Sequence, residues 1–195
     1  MKRIVSLAAA ALLCAVSLNA QIKVVGHRGV RFNTPDVPET PYYENTIPAL
    51  EYCQSLGIYA AEFDVQLTSD NKIIVFHGTN VPGLNKNIQT ITYAQARAVT
   101  LPGGSKMPSI KEYFSKAKEH PETKLICEIK KQSSKARETS AVEQVMTAVS
   151  SVPSEEKRIP WRIRLNIPHS AIGWCRKSTG STLRPKSCSL TAVCL

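Results

Sequence analysis

After Glu156 the chain contains no aspartate or glutamate. That absence decides how the net charge of +10 is read. Residues 21–156 hold fifteen acidic and fifteen basic side chains, so this part of the chain is neutral. The excess sits in residues 157–195, together with Lys2 and Arg3. A neutral body excludes a polyanion partner inferred from overall charge, and the basic stretch lacks the aromatic interleaving of nucleic-acid modules. No nucleic-acid partner is expected. Past residue 20 the chain also lacks any apolar run approaching the ~20 residues a transmembrane helix needs. Five cysteines follow Cys14, an odd number that defines no disulfide framework. Cys53 and Cys127 fall in apolar periodic segments and read as small core residues, whereas Cys175, Cys188 and Cys194 belong to the basic stretch.

What is present begins with MKRIVSLAAAALLCAVSLNA, residues 1–20. Two basic residues, an apolar stretch and a small residue at position 20 form the layout of a secretory signal peptide. We expect cleavage after Ala20 and an exported protein, periplasmic or secreted. The remaining length suffices for one domain.

Strand-like and helix-like segments then alternate. Residues 22–25 are β-prone, and residues 44–56 read as a helix with Ala49, Leu50, Cys53 and Leu56 on one face, stopped by Gly57. Residues 59–67 and 72–77 read as strands separated by Thr-Ser-Asp-Asn. Thr92 with Gln95, and Ser109 with Glu112, have the spacing of capping boxes. The second opens a helix whose inner face is Ile110, Tyr113, Phe114 and Ala117. Residues 124–130, KLICEIK, form the next strand, and Val142, Val145, Met146 and Val149 recur at helical spacing. Such alternation predicts an α/β fold with a parallel, helix-covered sheet, open or closed into a barrel, and chemistry at the carboxyl ends of its strands.

Four strand ends carry polar groups that a core would exclude. The first ends in His27 and Arg28. The second places Glu62 and Asp64 two residues apart, hence on one face, with Phe63 and Val65 on the other. The third ends in His77, and the fourth places Glu128 and Lys130 on one face. Each group alone has a plainer reading, such as a hydrogen-bonded structural histidine or a solvated strand face. If all four strands run the same way, the groups converge. Three carboxylates make an oxygen site suited to magnesium or calcium, and no cysteine or third histidine stands close enough to favour zinc. Arg28 and Lys130 suit phosphate oxygens, and two imidazoles suit proton transfer near neutral pH. Phosphodiester cleavage is the chemistry that uses them all. The glycines around His27 are expected to let an ester approach the backbone.

The ordered motifs GHRG (26–29), ENTIPAL (44–50), AEFDVQLTSD (61–70), VFH (75–77), MPSIKEYF (107–114) and CEIK (127–130) resemble the glycerophosphodiester phosphodiesterases. The resemblance spans residues 22 to about 150. It implies a TIM (β/α)8 barrel of the phospholipase-C-like phosphodiesterase type, and hydrolysis of a small glycerophosphodiester to sn-glycerol 3-phosphate and an alcohol. It makes His27 and His77 the catalytic acid and base, and Glu62, Asp64 and Glu128 the ligands of one divalent cation, magnesium or calcium. Arg28 and Lys130 would contact phosphate. Glu44 would line the site, and Asn45 would support its loop.

Two departures stand out. Gly78 occupies the position after the second histidine where the family usually has Asp. Residues 153–195 show no clear strand-helix alternation, so the domain is bounded at 21–152, and the basic tail reads as a truncated or frameshifted continuation, with a natural basic extension as the alternative. A half-barrel of this kind would leave Val24, Phe63, Ile74 and Ile126 short of packing partners. Two alternatives remain open: a non-catalytic phosphodiester-binding barrel, and a phosphodiesterase for lysophospholipid or phosphoinositide-like diesters.

Overall fold

The computed structural model describes residues 22–29 and 42–151, and the backbone of a strand at Trp161–Leu165. Residues 1–20, where a signal peptide is expected, and the three tail cysteines lie outside these residues. Strand β1 (Val25–Gly26) leads through an undescribed stretch to helix α1 (Ile47–Ser55). Thr46 caps α1 and Pro48 occupies its first turn, which explains why the helix starts after Glu44 and Asn45 rather than at Glu44. Ala49, Leu50 and Cys53 are buried as the spacing predicts. Leu56 is 49% exposed, because it lies beyond the last helical turn. Gly57, with φ of 61°, ends the element.

Strand β2 (Ala60–Leu67) is buried along its whole length and pairs in parallel with β1 and with β6 (Lys124–Ile129). Strand β7 (Trp161–Leu165) extends this sheet in parallel beyond β6, giving the order β1-β2-β6-β7. These four parallel strands with their helices form part of a TIM-type barrel. Strand β7 lies inside the stretch read as tail, where no strand was expected, and WRIRL carries a period of two in its apolar residues.

Strand β3 (Ile73–Val75) corrects a second expectation. It pairs antiparallel to β2, with Val65 opposite Val75 and Leu67 opposite Ile73. A parallel neighbour needs a crossover of roughly a dozen residues or more, and the turn here is far shorter. His77 therefore reaches the level of the carboxylates by folding back: β2 overshoots, turns, and the Phe76 N–H donates to the Asp64 carbonyl at 3.0 Å.

The outward face of β2 and β6 presents Ala61, Phe63, Val65, Leu67, Leu125, Cys127 and Ile129 to α1, α3 (Ile110–Ala117) and α4 (Lys135–Ser150). Phe63 stacks on Tyr113 at 4.5 Å between centroids and meets Phe114 edge-on at 6.1 Å. It is fully buried, as is Ile74, so neither lacks packing partners; among the described residues Ile126 is half-buried and Val24 is 54% exposed. Both capping boxes form, at the N-terminus of α2 (Tyr93–Ala98) and of α3.

Between His77 and α3 the chain makes an excursion containing the hairpin β4 (Asn80–Val81) and β5 (Lys86–Asn87), two short 3-10 turns and α2. It has its own core of Val81, Ile88, Ile91, Ala96, Leu101 and Met107, into which β3 inserts Ile74 and the chain beyond it Phe76. Alternation along β3 thus joins two cores, because Ile73 and Val75 face the main one. No helix among the described residues is long and apolar enough to cross a membrane.

Candidate active site

The inward face of the sheet is polar. Glu62, Asp64 and Glu128 are all buried, and one carboxylate oxygen from each lies within 4.8 Å of the others. Their convergence follows from alternation and register, since Asp64 stands directly opposite Glu128 in the parallel pair. Burial and then the neighbouring charge of Asp64 push the Glu62 carboxyl up to about 7, against the opposing hydrogen bond from the Arg28 backbone. Glu62 Oε1 is buried without a hydrogen-bond partner. A buried, oxygen-only set with an unsatisfied carboxylate oxygen fits a hard divalent cation, which would neutralise the mutual repulsion.

Lys130 reaches back from the end of β6, its Nζ 2.8 Å from Asp64 Oδ1 and also bonded to Glu128. Burial lowers the tendency of this ammonium to stay charged, but its two carboxylate partners outweigh that and raise its pKa.

The His27–Gly29 turn is held by two amides. The Arg28 N–H donates to Glu62 Oε2 at 2.8 Å and the Gly29 N–H to the Glu62 carbonyl at 2.9 Å. Arg28 takes a left-handed φ of 57° and Gly29 one of 81°. A Cβ on Gly29 would lie 2.9 Å from Ala49 of α1, and one on Gly26 would lie 2.2 Å from the Gly29 carbonyl oxygen. Close packing against the chain's own backbone is thus what requires these glycines, rather than room for an ester.

Arg28 is 8% exposed and bridges the site. Nη1 donates to Glu44 Oε2 at 2.9 Å, Nε lies 3.6 Å from Asp64 Oδ2, and Nη2 lies 2.6 Å from His77 Nε2. A guanidinium can only donate, so His77 Nε2 accepts and the ring proton sits on Nδ1, 3.7 Å from Glu44 Oε1. Burial lowers the His77 pKa, the charges of Lys130 and Arg28 add to this, and Asp64 and Glu44 oppose it. Together they favour the neutral imidazole. His27 stands at the mouth, its side chain 59% exposed and Nε2 4.0 Å from Glu62 Oε2. Asn45, fully inside, is bonded to Asp64. All nine residues singled out in the sequence thus gather at one end of β1, β2 and β6.

Among the buried polar residues that had not been singled out are two amides at the ends of β2 and β6, Gln66 and Gln132. Gln132 accepts from the Leu67 N–H at 3.2 Å and donates to the Lys130 carbonyl at 2.7 Å, tying the ends of β2 and β6 together. Gln66 lies two residues past Asp64 on the same face. Continuing the Glu62–Asp64 alternation by one step would have found it.

Known proteins resemble the chain in the same terms. A glycerophosphocholine phosphodiesterase of Schizosaccharomyces pombe is 33% identical over 76 residues, covering 38% of this chain and 7% of that protein. A protein of that name from Eremothecium gossypii is 42% identical over 55 residues, 28% of this chain and 4% of its own length. Among solved structures, a glycerophosphodiester phosphodiesterase from Parabacteroides distasonis superposes with a TM-score of 0.63 at 28% identity, covering 80% of this chain and 62% of that one. An Oleispira antarctica phosphodiesterase in complex with sn-glycerol-3-phosphate shares the fold, with a TM-score of 0.64 at 17% identity over 80% of this chain and 62% of its own. The chain therefore spans a small part of the curated relatives it matches and about three fifths of the solved chains. With residues 27–191 matching the family's sequence profile, this chain belongs to the glycerophosphoryl diester phosphodiesterase family.

Proposed function

We propose that this chain carries the catalytic face of an exported, metal-dependent enzyme that hydrolyses small glycerophosphodiesters to sn-glycerol 3-phosphate and an alcohol. The observation that carries the reading is the buried Glu62–Asp64–Glu128 cluster, with exposed His27 4.0 Å from Glu62 and His77 joined to Asp64 through Arg28. The family and the names of its relatives support the substrate class. The signal-like residues 1–20 support export, with residues 21–152 as the catalytic unit.

Glu62, Asp64 and Glu128 would hold the divalent cation, magnesium or calcium, which supplies charge neutralisation at the phosphoryl oxygens. One imidazole of the His27–His77 pair takes the proton of the attacking oxygen as it bonds to phosphorus, and the other, already protonated, gives its proton to the alcohol oxygen as the bond from phosphorus breaks. Attack by water gives glycerol 3-phosphate directly; attack by the neighbouring glycerol hydroxyl gives a cyclic phosphate, which water then opens to glycerol 3-phosphate with the two imidazoles exchanging roles. Arg28 holds the His77 ring in its accepting tautomer and anchors Glu44 beside it, and Lys130 balances the carboxylates next to the phosphate position. Asn45 fixes Asp64.

Turnover of glycerophosphocholine, followed by release of glycerol 3-phosphate, tests the proposal. Activity lost to chelator and restored by magnesium or calcium supports it, and undiminished activity in excess chelator rejects the metal. Gly78 motivates a second reading, a phosphodiester-binding protein that does not turn over, because the family's usual carboxylate is absent beside His77. Saturable binding of glycerophosphocholine with no product would favour it.

A further inference from the structure

We propose that Gln66 is a positioning residue for His77. Gln66 is 3% exposed and extends the Glu62–Asp64 face of β2 by two residues. Its side-chain Nε2 faces three successive backbone carbonyls: Phe76 at 3.2 Å, His77 at 2.9 Å and Gly78 at 2.9 Å. An amide has two hydrogens, so three acceptors share two donors, and the contact is a clamp around the segment rather than a single bond.

The position of the clamp gives it its meaning. The antiparallel ladder of β2 and β3 ends at Val75, and the last backbone bond on that side is from the Phe76 N–H to the Asp64 carbonyl. Beyond it the chain leaves regular structure, and its carbonyls need partners from elsewhere. Gln66 supplies them. Phe76 is anchored by its ring in the second core, whereas Gly78 has no side chain with which to anchor the other end. Glycine also gives the backbone its widest freedom at that point. The 2.6 Å contact from Arg28 to His77 Nε2 fixes the ring's tautomer, and it depends on where this segment sits. One strand face therefore places the carboxylates directly and the second histidine through its backbone.

The inference rests on His77 acting in the reaction, so the test reads the ring as well as turnover. In the full chain, Gln66→Met removes the donors at similar volume, and Gln66→Glu keeps a polar group but turns acceptors toward the carbonyls. Imidazole ¹⁵N shifts at fixed pH, assigned by loss of the signal in His77→Gln, report the tautomer. We expect the wild-type ring to show protonated Nδ1 and bare Nε2, and both variants to show averaged tautomers. On glycerophosphocholine, kcat falls by roughly tenfold to a hundredfold, the scale of a misplaced reacting group, with KM changed less than about twofold. If wild type has no turnover, the ¹⁵N pattern alone decides, because it does not depend on the reaction. If Gln66→Met fails to fold, Gln66→Glu carries the same readout. A folded variant whose His77 signals match wild type overturns the proposal.

Discussion

Asn45 and Asp64 hold each other at two points. The Asp64 N–H donates to Asn45 Oδ1 at 2.9 Å, and Asn45 Nδ2 donates to Asp64 Oδ2 at 3.0 Å. One amide side chain thus satisfies both the backbone and the carboxylate of the central cluster residue. Asn45 does so from a left-handed φ of 60°, a region its short polar side chain tolerates. Asn45→Ala leaves the buried Asp64 N–H unpaired, removes one donor from its carboxylate, which keeps Lys130, and places a methyl in that region, costing about 3 kcal/mol. Asn45→Gly removes the same bonds without the backbone penalty and costs about 1 kcal/mol less. Denaturant midpoints of the two variants separate bonding from backbone strain, and equal midpoints would leave no strain to assign.

The metal-free chain loses stability as pH rises through the Glu62 range. Glu62 titrates near 7 when folded against an ordinary value of 4.5, so the folded state binds the extra proton between those limits. Its contribution is complete below about 4.5 and is gone above about 7, a difference on the order of 3 kcal/mol. Glu62→Gln cannot ionise and removes that part of the slope. Unfolding midpoints in chelator between pH 5 and pH 8 provide the check. Added magnesium or calcium should flatten the wild-type slope, and Asp64→Asn or Glu128→Gln should weaken that response.

His27→Ala and His77→Ala each lower turnover by roughly a hundredfold or more, the usual scale of lost proton transfer. KM shifts less, since Lys130 and the carboxylates remain. Near-normal turnover in either variant would return that histidine to a structural role.

Restoring a carboxylate at position 78 meets an obstacle that the sequence does not reveal. A Cβ there lies 3.0 Å from Phe76 Cζ and 3.2 Å from its Cε1. The ring must give by a few tenths of an ångström in a packed core. Gly78→Asp is expected to raise activity while lowering the melting temperature, and Phe76→Leu in the same chain should recover part of the loss. A double variant no more stable than Gly78→Asp alone would show that the ring is not the obstacle.

Most of the site was legible because strand alternation and motif order are local signals. Glu62 with Asp64, and Glu128 with Lys130, follow from a period of two, and the Thr92 and Ser109 caps follow from side chains three residues apart. The direction of β3 was legible too and was missed: the turn at residues 68–71 is too short for anything but a hairpin. Asn71, at φ of 57°, and Asp70, accepting from Thr68 Oγ1, are the turn chemistry. The engagement of Arg28 by Glu44, Asp64 and His77 was not legible, because it joins residues 16 to 49 positions apart. Nor was β7, whose basic alternate residues blend into the charge of the stretch around it.

The excursion between His77 and α3 leaves the barrel and returns almost to the point of departure, for the Val75 N–H donates to the Pro108 carbonyl at 3.1 Å. Its interior is supplied mainly by its own residues. A segment with adjoining ends and a private core can be lengthened, shortened or exchanged without moving the strands beneath it. Related chains can thus diverge in this single cassette without disturbing the carboxylates below it, while Ile74 and Phe76 remain the sockets into which any replacement must plug.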